Sequence, residues 1–464
     1  MRFSDFACVL FALAMLAAQI AEAKTAANEP KNIVLGESIV AIDGPWKFQM
    51  GDDPKWADPV FNDSNWEDVA FKAAPGANDG DVGLPGYVPG WNAKGHPGYQ
   101  GYAWYRIHLL ITQSSREPLA LLGPWAVDST YQVYENGALL GGVGDFSTKP
   151  PTAYGYHYPM FFPLQQNAAG GKDMTLAIRV WMGPWALANP SAGGIHIAPA
   201  VGGTEAISAR YHLQWFKIFE GYAVDVVPAL LFFLMALMTL CLLPFEQSYS
   251  AYLWLAGALV LSGIQRGNQA FFFWWKIETV QAFVYFIVAF VGSLSLGAWM
   301  MAWGSWFKPD RPSWLPKAIA ALTLILMLAQ ILGHPWLFHI RYAGPVDLSM
   351  HYLIMCVRLA FLLVFFFILH QGLRLREREG WFAIPAMLTI GAVLFSTELS
   401  AAHVPGIWFP WGVGLSLSEC ASVAFDVLLF VVLTRRLWSY ARHNRVNAPL
   451  LTRGVQEKIS CPNV

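Results

Sequence analysis

Charged residues are scarce in this chain of 464 residues. Asp, Glu, Lys and Arg make up 13% of it, about half the share that is usual in soluble proteins, whereas hydrophobic residues reach 55%. The charges are also distributed unevenly: residues 24–215 contain 12 basic and 17 acidic residues, and residues 216–464 contain 17 basic and 12 acidic residues. The chain therefore has an acidic first part suited to water and a basic, apolar second part suited to lipid.

Cysteine is also rare, with five residues in the chain. None of them lies between Lys24 and Trp215. They are Cys8, Cys241, Cys356, Cys420 and Cys461. This distribution excludes disulfides and a thiolate zinc site from the acidic first part.

Motifs of common catalytic sites are missing as well. The sequence contains no phosphate-binding loop, no nucleophile elbow and no metal-ligand spacing. We therefore predict a protein that is not an enzyme and has no catalytic residues, no metal, no cofactor and no nucleic-acid partner. Several acidic residues near the start of the acidic first part are interpreted as residues that form turns or lie on solvent-exposed faces. They are Asp52, Asp53, Asp63, Glu67 and Asp68.

The N-terminus has the features of a secretory signal. Arg2 precedes an apolar run from about residue 6 to residue 20, and the small residues "AEA" end at Ala23. The run is short for a membrane span, so we predict that residues 1–23 are a cleaved signal peptide. The alternative is an uncleaved anchor, which would leave the following segment on the same side of the membrane.

Residues 30–205 have the pattern of short β-strands. Stretches such as "AWYRIHLLI" and "MTLAIRVWM" alternate and are rich in aromatic and β-branched residues, with Gly, Asn, Asp and Pro between them. The pair Asn136 and Gly137 predicts a tight hairpin, because both residue types tolerate positive φ. The expected fold is an all-β jelly-roll sandwich.

Four motifs follow one another within residues 40–185: "IDGPWKFQMGDDPKWADPVFNDSNWEDV", "GYAWYRIHLLI", "VYENGALLGG" and "LAIRVW". In this order they resemble the sugar-binding jelly-roll domain at the N-terminus of family-two glycoside hydrolases. The resemblance implies a galactose-binding-like fold and a carbohydrate or related small-molecule ligand. It does not imply hydrolysis, because the catalytic carboxylates of those hydrolases lie in a separate barrel.

The first motif contains three evenly spaced tryptophans, Trp46, Trp56 and Trp66. Trp46 lies in a strand-like run and is predicted to be part of the core. The other two lie in turns, where an indole can cap the sandwich or stack on a sugar.

A long aromatic loop, "GYVPGWNAKGHPGYQGYAW", offers better candidates for ligand binding. Trp91, His96 and Tyr99 are flanked there by Gly and Pro, as is typical of surface loops that carry function. We predict these three residues to bind the ligand. The alternative is a loop that packs on the membrane or on the transmembrane part.

Seven apolar runs long enough to cross a bilayer follow the β-rich part. They lie at about residues 223–244, 249–269, 279–303, 313–335, 347–371, 381–402 and 412–434. They predict a membrane α-helical, seven-helix bundle over residues 216–440 and a short cytoplasmic tail over residues 441–464. Pro449 is expected to end a helix that continues from the seventh run.

Basic residues set the predicted orientation. If the β-rich part lies outside, the inner loops and the tail contain most of the Lys and Arg residues near the ends of the spans. These are Lys308, Arg311, Arg374, Arg376, Arg378, Arg435, Arg436, Arg442 and Arg445, against Lys276 and Arg341 outside. We predict a multi-pass protein of the cell inner membrane with a periplasmic or extracellular N-terminal domain and a cytoplasmic C-terminus.

Seven spans after a jelly-roll domain, over residues 40 to about 440, resemble bacterial seven-transmembrane receptors with diverse intracellular signalling modules. The resemblance implies a sensor that binds a carbohydrate-like ligand outside and passes a conformational signal through the bilayer to a cytoplasmic partner. Members normally carry an output domain, and the residues given after Trp438 are too few for one. We therefore expect either a separate signalling partner or a truncated relative without an output of its own. The alternatives are a transporter and a membrane-anchored carbohydrate-binding protein that does not signal.

Ionisable residues within the spans are further candidates, because charges in hydrocarbon are costly. At about 1.5 Å per residue, Arg358 lies at a depth between Glu419 and Asp426. We therefore expect Arg358 to pair with one of these two acids, either as a structural ion pair or as a switch or proton relay. Asp225, Arg266 and Glu398 are expected nearer the outer surface.

Overall fold

The computed structural model describes thirteen stretches of the chain. They are residues 39–77, 85–111, 117–154, 158–165, 172–183, 191–245, 249–275, 278–307, 312–333, 344–374, 380–404, 406–407 and 416–459. The predicted signal peptide lies outside these residues, as do several of the basic loop residues that predicted the orientation, among them Lys308, Arg311, Arg341, Arg376 and Arg378.

Ten strands form the N-terminal domain. They are β1 (Ile39–Ala41), β2 (Trp46–Met50), β3 (Glu67–Val69), β4 (Gly101–Ile111), β5 (Leu119–Leu122), β6 (Thr130–Glu135), β7 (Ala138–Val143), β8 (Phe161–Pro163), β9 (Lys172–Met182) and β10 (Ala200–Gly203). One sheet has the order β1-β10-β5-β8 and the other β3-β2-β4-β9-β6-β7, and the named strand pairs are antiparallel. The prediction of an N-terminal β-sandwich is confirmed at this level.

The core of the domain lies between the two sheets. Phe48, Tyr105 and Ile178 face it from the six-stranded sheet, and Leu121 and Phe162 face it from the four-stranded sheet. The alternation of apolar and polar residues in each strand produces this arrangement, because successive side chains point to opposite faces of a sheet. The predicted hairpin is present as well, between β6 and β7.

Arg106 organises the loop that carries two of the three spaced tryptophans. Its guanidinium is fully buried, donates to Asp63 Oδ2 at 2.9 Å and to the carbonyl oxygens of Trp56 and Asp58, and lies over the Trp66 ring. The Trp56 and Trp66 rings contact each other edge to face, with centroids 5.1 Å apart. Trp46 is fully buried in the core. The tryptophans therefore pack the sandwich.

The helical part begins at Thr204, directly after β10. Its main helices are α1 (Thr204–Leu242), α2 (Tyr249–Trp274), α3 (Val280–Trp306, with a π-helical segment at Val284–Gly292), α4 (Trp314–Leu332), α5 (Gly344–Arg374), α6 (Gly380–Leu394) and α7 (Leu417–Ile459). A short helix, Ser396–Ala401, follows α6.

Five of the described helices are long and apolar enough to cross a membrane. They are Thr204–Phe245, Val280–Trp306, Trp314–Leu332, Ser349–Arg374 and Leu417–Arg442. Helix α2 has 26 residues but is less apolar, because Gln265, Arg266 and Asn268 lie close together in it, and the apolar part of α6, Phe382–Leu394, is shorter. The chain is thus a membrane-associated protein, and the seven spans stay a prediction.

Helix α7 differs from the expectation at its C-terminal end. It continues through Pro449 to Ile459. Proline has a φ angle close to that of a helix and removes one backbone hydrogen bond, so it weakens a helix locally and does not always end it.

The helices share an aromatic core. Trp299 of α3 contacts Phe425 of α7 edge to face at 5.2 Å, and Phe232 of α1 lies 6.0 Å from the same ring. The Trp299 indole N–H donates to Ser262 Oγ of α2 at 2.9 Å. On the outer surface, large apolar side chains such as Leu363 remain exposed, which suits contact with lipid chains.

The β domain rests on the ends of three helices. The Thr204 hydroxyl at the start of α1 donates to Pro118 O at 2.7 Å. The Tyr158 hydroxyl donates to Phe272 O near the end of α2 at 2.9 Å, and Val280 N at the start of α3 donates to Ala153 O at 3.0 Å. These bonds join the two parts without a free linker between β10 and α1.

Candidate functional site

Trp91 anchors the aromatic loop. It begins a 3₁₀ turn, Trp91–Lys94, which ends at Gly95 in the left-handed conformation. Its side chain is 2% exposed and lies against Gly193 and Gly194, where a Cβ atom would come within 2.4 Å and 2.8 Å of the indole. Both glycines also have positive φ. This predicted ligand residue is therefore packed inward, and only a small part of it faces solvent.

Tyr99 fixes the other end of the loop. Its hydroxyl donates to Tyr102 O at 2.7 Å and accepts from Gly51 N at 3.2 Å, and its carbonyl accepts from the Trp91 indole at 3.3 Å. Burial raises the pKa of the Tyr99 phenol above its usual value. The hydrogen bond from Gly51 opposes this rise in pKa, and the nearby Asp52 carboxylate adds to it. Tyr99 thus holds the loop in place and does not line the pocket described next.

Three polar side chains meet at the mouth of a small pocket. His96 Nε2 lies 2.7 Å from Glu67 Oε2, and Lys94 Nζ donates to Ala70 O at 3.2 Å. Burial lowers the pKa of the Lys94 ammonium below its usual value, against the opposing effect of the Glu67 carboxylate. Sequence reasoning missed Glu67 and Lys94 as members of this site.

The pocket itself has a mostly apolar floor. Its other lining residues are Phe48, Val69, Gly90, Trp91, Tyr105 and Ile195. The volume is about 10 Å³, room for about one water molecule. A sugar ring cannot fit inside, so a saccharide would have to bind across the polar mouth. Of the predicted ligand residues, the structure brings Trp91 and His96 to this pocket.

The buried His196 side chain and the partly buried Asp128 form a hydrogen-bonded pair next to Ile195 of the pocket lining. His196 is 2% exposed, and its Nδ1 lies 2.9 Å from Val88 O while its Nε2 lies 2.9 Å from Asp128 Oδ2. A carbonyl accepts only, and so does an ionised carboxylate, so both ring nitrogens carry hydrogen when Asp128 is ionised and the ring is then an imidazolium. Asp128 Oδ2 also accepts from Gly193 N at 2.6 Å. The pair therefore fixes the glycines that contact Trp91.

The same segment reaches the helices. His196 N donates to Ala126 O at 2.9 Å. Ala126 and its neighbour Trp125 pack with Tyr222 of α1 and Ala270 of α2, and Ile197 joins this cluster. A packed connection therefore runs from the floor of the pocket to the ends of α1 and α2.

A charge cluster joins α1, α2 and α7 about one helical turn beyond Tyr222 and Ala270. Arg266 Nη1 of α2 donates to Asp225 Oδ1 of α1 at 2.8 Å and also to Glu419 Oε1 of α7. Asp225 and Glu419 are both buried. We call these three residues the charge triad.

The expected pairing of Arg358 with Glu419 or Asp426 is wrong. Arg358 binds Glu398, with Nη2 at 2.7 Å from Oε2, and also donates to Leu394 O at 3.0 Å. Depth along the span could not reveal this, because it does not tell which helices are neighbours. Helix α5 packs against α4 and α6, whereas α7 packs against α6 and α1.

Asp426, the third predicted residue within the spans, is buried without a partner. It is 4% exposed, and neither of its carboxyl oxygens has a hydrogen-bond partner among the described residues. It lies about two turns after Glu419 on the same face of α7. No group of three or more His, Cys, Asp or Glu side chains in the described part of the chain is arranged to hold a metal ion.

Comparison with known proteins gives structural likenesses only. No protein-family model matches the chain, and the search of curated proteins gave no match. The N-terminal β region is similar to part of β-glucuronidase 2 of Bacteroides uniformis, with 24% identity over 36% of this chain and 18% of that one and a TM-score of 0.26.

Two further structures show the same pattern. A β-glucuronidase from glycoside hydrolase family 2 has 19% identity over 35% of this chain and 17% of its own, with a TM-score of 0.25. A β-glycosidase from Bacteroides vulgatus has 19% identity over 36% and 20%, with a TM-score of 0.24. The chain spans about a fifth of the length of these proteins or less. Fold and site together define the class: a membrane-associated protein with an N-terminal β-sandwich on a set of apolar helices.

Proposed function

We propose that this protein is a membrane receptor whose β domain binds a carbohydrate-like ligand outside the cell membrane and whose helices transmit the binding to the cytoplasmic side. The observation that carries the proposal is the packed connection from the pocket to the charge triad. It runs from Trp91 through Gly193, Asp128 and His196 to the cluster at Tyr222.

The triad lies on the same helices, one turn deeper. Tyr222 and Asp225 are three residues apart on α1, and Ala270 and Arg266 are four apart on α2, spacings that place each pair on one helix face. A shift of the β domain against Tyr222 and Ala270 would thus change the distances within the triad. Because Glu419 belongs to α7, such a change would reach that helix directly.

Helix α7 is the element suited to carry the signal onward. It has 43 residues, about 64 Å at 1.5 Å per residue, roughly twice the thickness of the hydrocarbon core. We propose that α1 to α7 cross the membrane seven times, with the β domain periplasmic and the end of α7 cytoplasmic. The basic residues Arg435, Arg436 and Arg442 of α7 would then form a surface for a cytoplasmic signalling partner.

The mouth of the pocket supports a polar, hydroxyl-rich ligand. Glu67 can accept hydrogen bonds and Lys94 can donate them, as the hydroxyl groups of a saccharide require. The motif order within residues 40–185 supports the same ligand class. For signalling, the ligand must prefer one arrangement of the helices, since equal affinity for both states would shift nothing.

A binding role is favoured over catalysis because the candidate acids have structural partners. Asp63 binds Arg106, Asp68 binds Lys47 at 2.8 Å, and Glu67 binds His96. Such pairing suits turn formation and loop anchoring.

The test uses the full chain in lipid nanodiscs. A panel of mono- and oligosaccharides is screened for binding, and a fluorescent label is placed at position 438, where Trp438 is exposed on α7. The proposal expects a saccharide that both binds and changes the label signal. Replacing Glu67 by Gln should weaken binding roughly ten- to a hundredfold, since a hydrogen bond to a charged group contributes about 1.5–3 kcal/mol.

The matched control is Asp68→Asn, which makes the same chemical change on the same strand outside the pocket and should leave affinity unchanged. Binding without any change in the label signal would favour a membrane-anchored binding protein. Saccharide flux in proteoliposomes would favour a transporter. Either result would overturn the receptor proposal.

A further inference from the structure

The charge cluster at α7 contains more carboxylates than cations. Arg266 supplies one positive charge, and Asp225 and Glu419 already occupy its Nη1 group. Asp426 is a third buried carboxyl, which lies seven residues, about two turns, after Glu419 on the same face of α7. If all three acids were ionised, the cluster would hold a net charge of −2 inside an apolar set of helices.

No hydrogen-bond donor among the described residues contacts the Asp426 carboxyl group. Each of its oxygens is shielded from solvent. Ser422, one turn earlier on α7, is fully buried, and its hydroxyl is likewise unpartnered within the described part of the chain. An isolated ionised carboxylate in such a place costs many kcal/mol, and the group takes up a proton instead.

A metal cation is a poorer occupant than a proton. Hard cations such as Ca²⁺ need six or more oxygen ligands, and no group of three or more His, Cys, Asp or Glu side chains among the described residues is arranged to hold a metal ion. A proton needs a single carboxyl oxygen.

We propose that Asp426 is a proton-binding site of the transmembrane part, occupied in the conformation seen here. Loss of the proton would create a second carboxylate on α7 that competes with Glu419 for Arg266. The helix would have to move or rotate to bring Asp426 to the guanidinium, which would loosen the contact with Asp225. Proton occupancy is thereby tied to how α7 packs on α1 and α2.

The proposal does not require the protein to be a receptor. A transporter or an inert anchor could hold the same proton site. Its test therefore uses no saccharide and no signal readout, so that its failure is distinct from failure of the receptor proposal.

The test is infrared spectroscopy of the full chain in nanodiscs near neutral pH. A protonated carboxylic acid has a carbonyl stretch that a carboxylate lacks. The Asp426→Asn variant should lose that band, and the matched Asp225→Asn variant should keep it, since Asp225 is ion-paired with Arg266. Survival of the band in Asp426→Asn would overturn the proposal.

Thermal unfolding gives a second readout that does not depend on the spectrum. Because Asn resembles a neutral Asp in shape, Asp426→Asn should unfold at the same temperature as the unmodified chain or higher. A lower unfolding temperature would mean that the ionised form is the stabilising one. Stabilisation by Na⁺ over choline that disappears in Asp426→Asn would assign the site to a metal cation instead.

Discussion

Replacing Arg266 by Met should destabilise the helical part more than the same change at Arg358. Arg266 separates two buried carboxylates, Asp225 and Glu419, whose side chains are 4% and 12% exposed, whereas Arg358 binds one, Glu398, which is 18% exposed. Removing one partner of a buried pair costs roughly 3–5 kcal/mol. Arg266→Met leaves two acids unpaired, so its loss of stability should reach the top of this range. The loss of stability in Arg358→Met should lie at or below the lower end.

The assay is thermal unfolding of the full chain in nanodiscs at several pH values. The loss in Arg266→Met should shrink as the pH falls, because protonation removes the stranded charges. Glu398→Gln should recover part of the loss in Arg358→Met, and Glu419→Gln should not, since only the first pair is in contact. Coupling of Arg358 to Glu419, or an Arg266 variant no weaker than the Arg358 variant, would refute the assignment of partners.

Two predictions concern the β domain and have matched controls. Arg106→Met should destabilise the domain by roughly 3–5 kcal/mol, because it leaves the buried Asp63 carboxylate without its cation. The control is Lys47→Met, which breaks an exposed pair on the neighbouring strand and should cost at most about 1 kcal/mol. Local hydrogen exchange of β2 and β4 measures both effects. Gly193→Val should displace the Trp91 indole that contacts this glycine and so weaken saccharide binding. The control is Gly95→Val: Gly95 has a similar φ, but nothing lies near the position of its Cβ, so the change should cause only the backbone strain of about 1–3 kcal/mol. Equal effects of the two glycine variants on binding would contradict the anchoring role of the pocket floor.

The sandwich was predictable from local pattern. Alternation predicted short strands, Trp46 was predicted to be part of the core, and the hairpin followed from Asn136 and Gly137. The role of Trp56 was left open, because a turn indole can cap a sheet or meet a ligand. Its contacts depend on Arg106, which is distant in sequence.

The pocket was predictable only in part, for a related reason. The Gly and Pro residues around Trp91 and His96 predicted a surface loop that carries function. Glu67 lies far from this loop in sequence and reaches the pocket because its strand, β3, pairs with β2. The pair of His196 and Asp128 was missed. Its signal was weak: each is a single ionisable residue in an apolar stretch, "GGIHIAP" and "WAVDS", a pattern that also fits an exposed turn.

The ion pairs within the helices show the limit of depth arguments. Hydropathy placed Arg358, Glu419 and Asp426 inside spans, and the rise per residue ordered them along the membrane normal. Which helices are adjacent depends on packing of the whole set, which no single span encodes. Arg266 was predicted to lie near the outer surface, yet it is the residue that forms the ion pair with Glu419.

Hydrogen exchange along α7 tests the central claim, the connection between pocket and transmembrane helices, most directly. The full chain in nanodiscs is compared with and without the saccharide identified in the binding screen. We expect altered exchange both at residues 191–198 beside the pocket and at residues 417–426 around the triad. Saccharide binding with changes confined to the β domain would contradict the account.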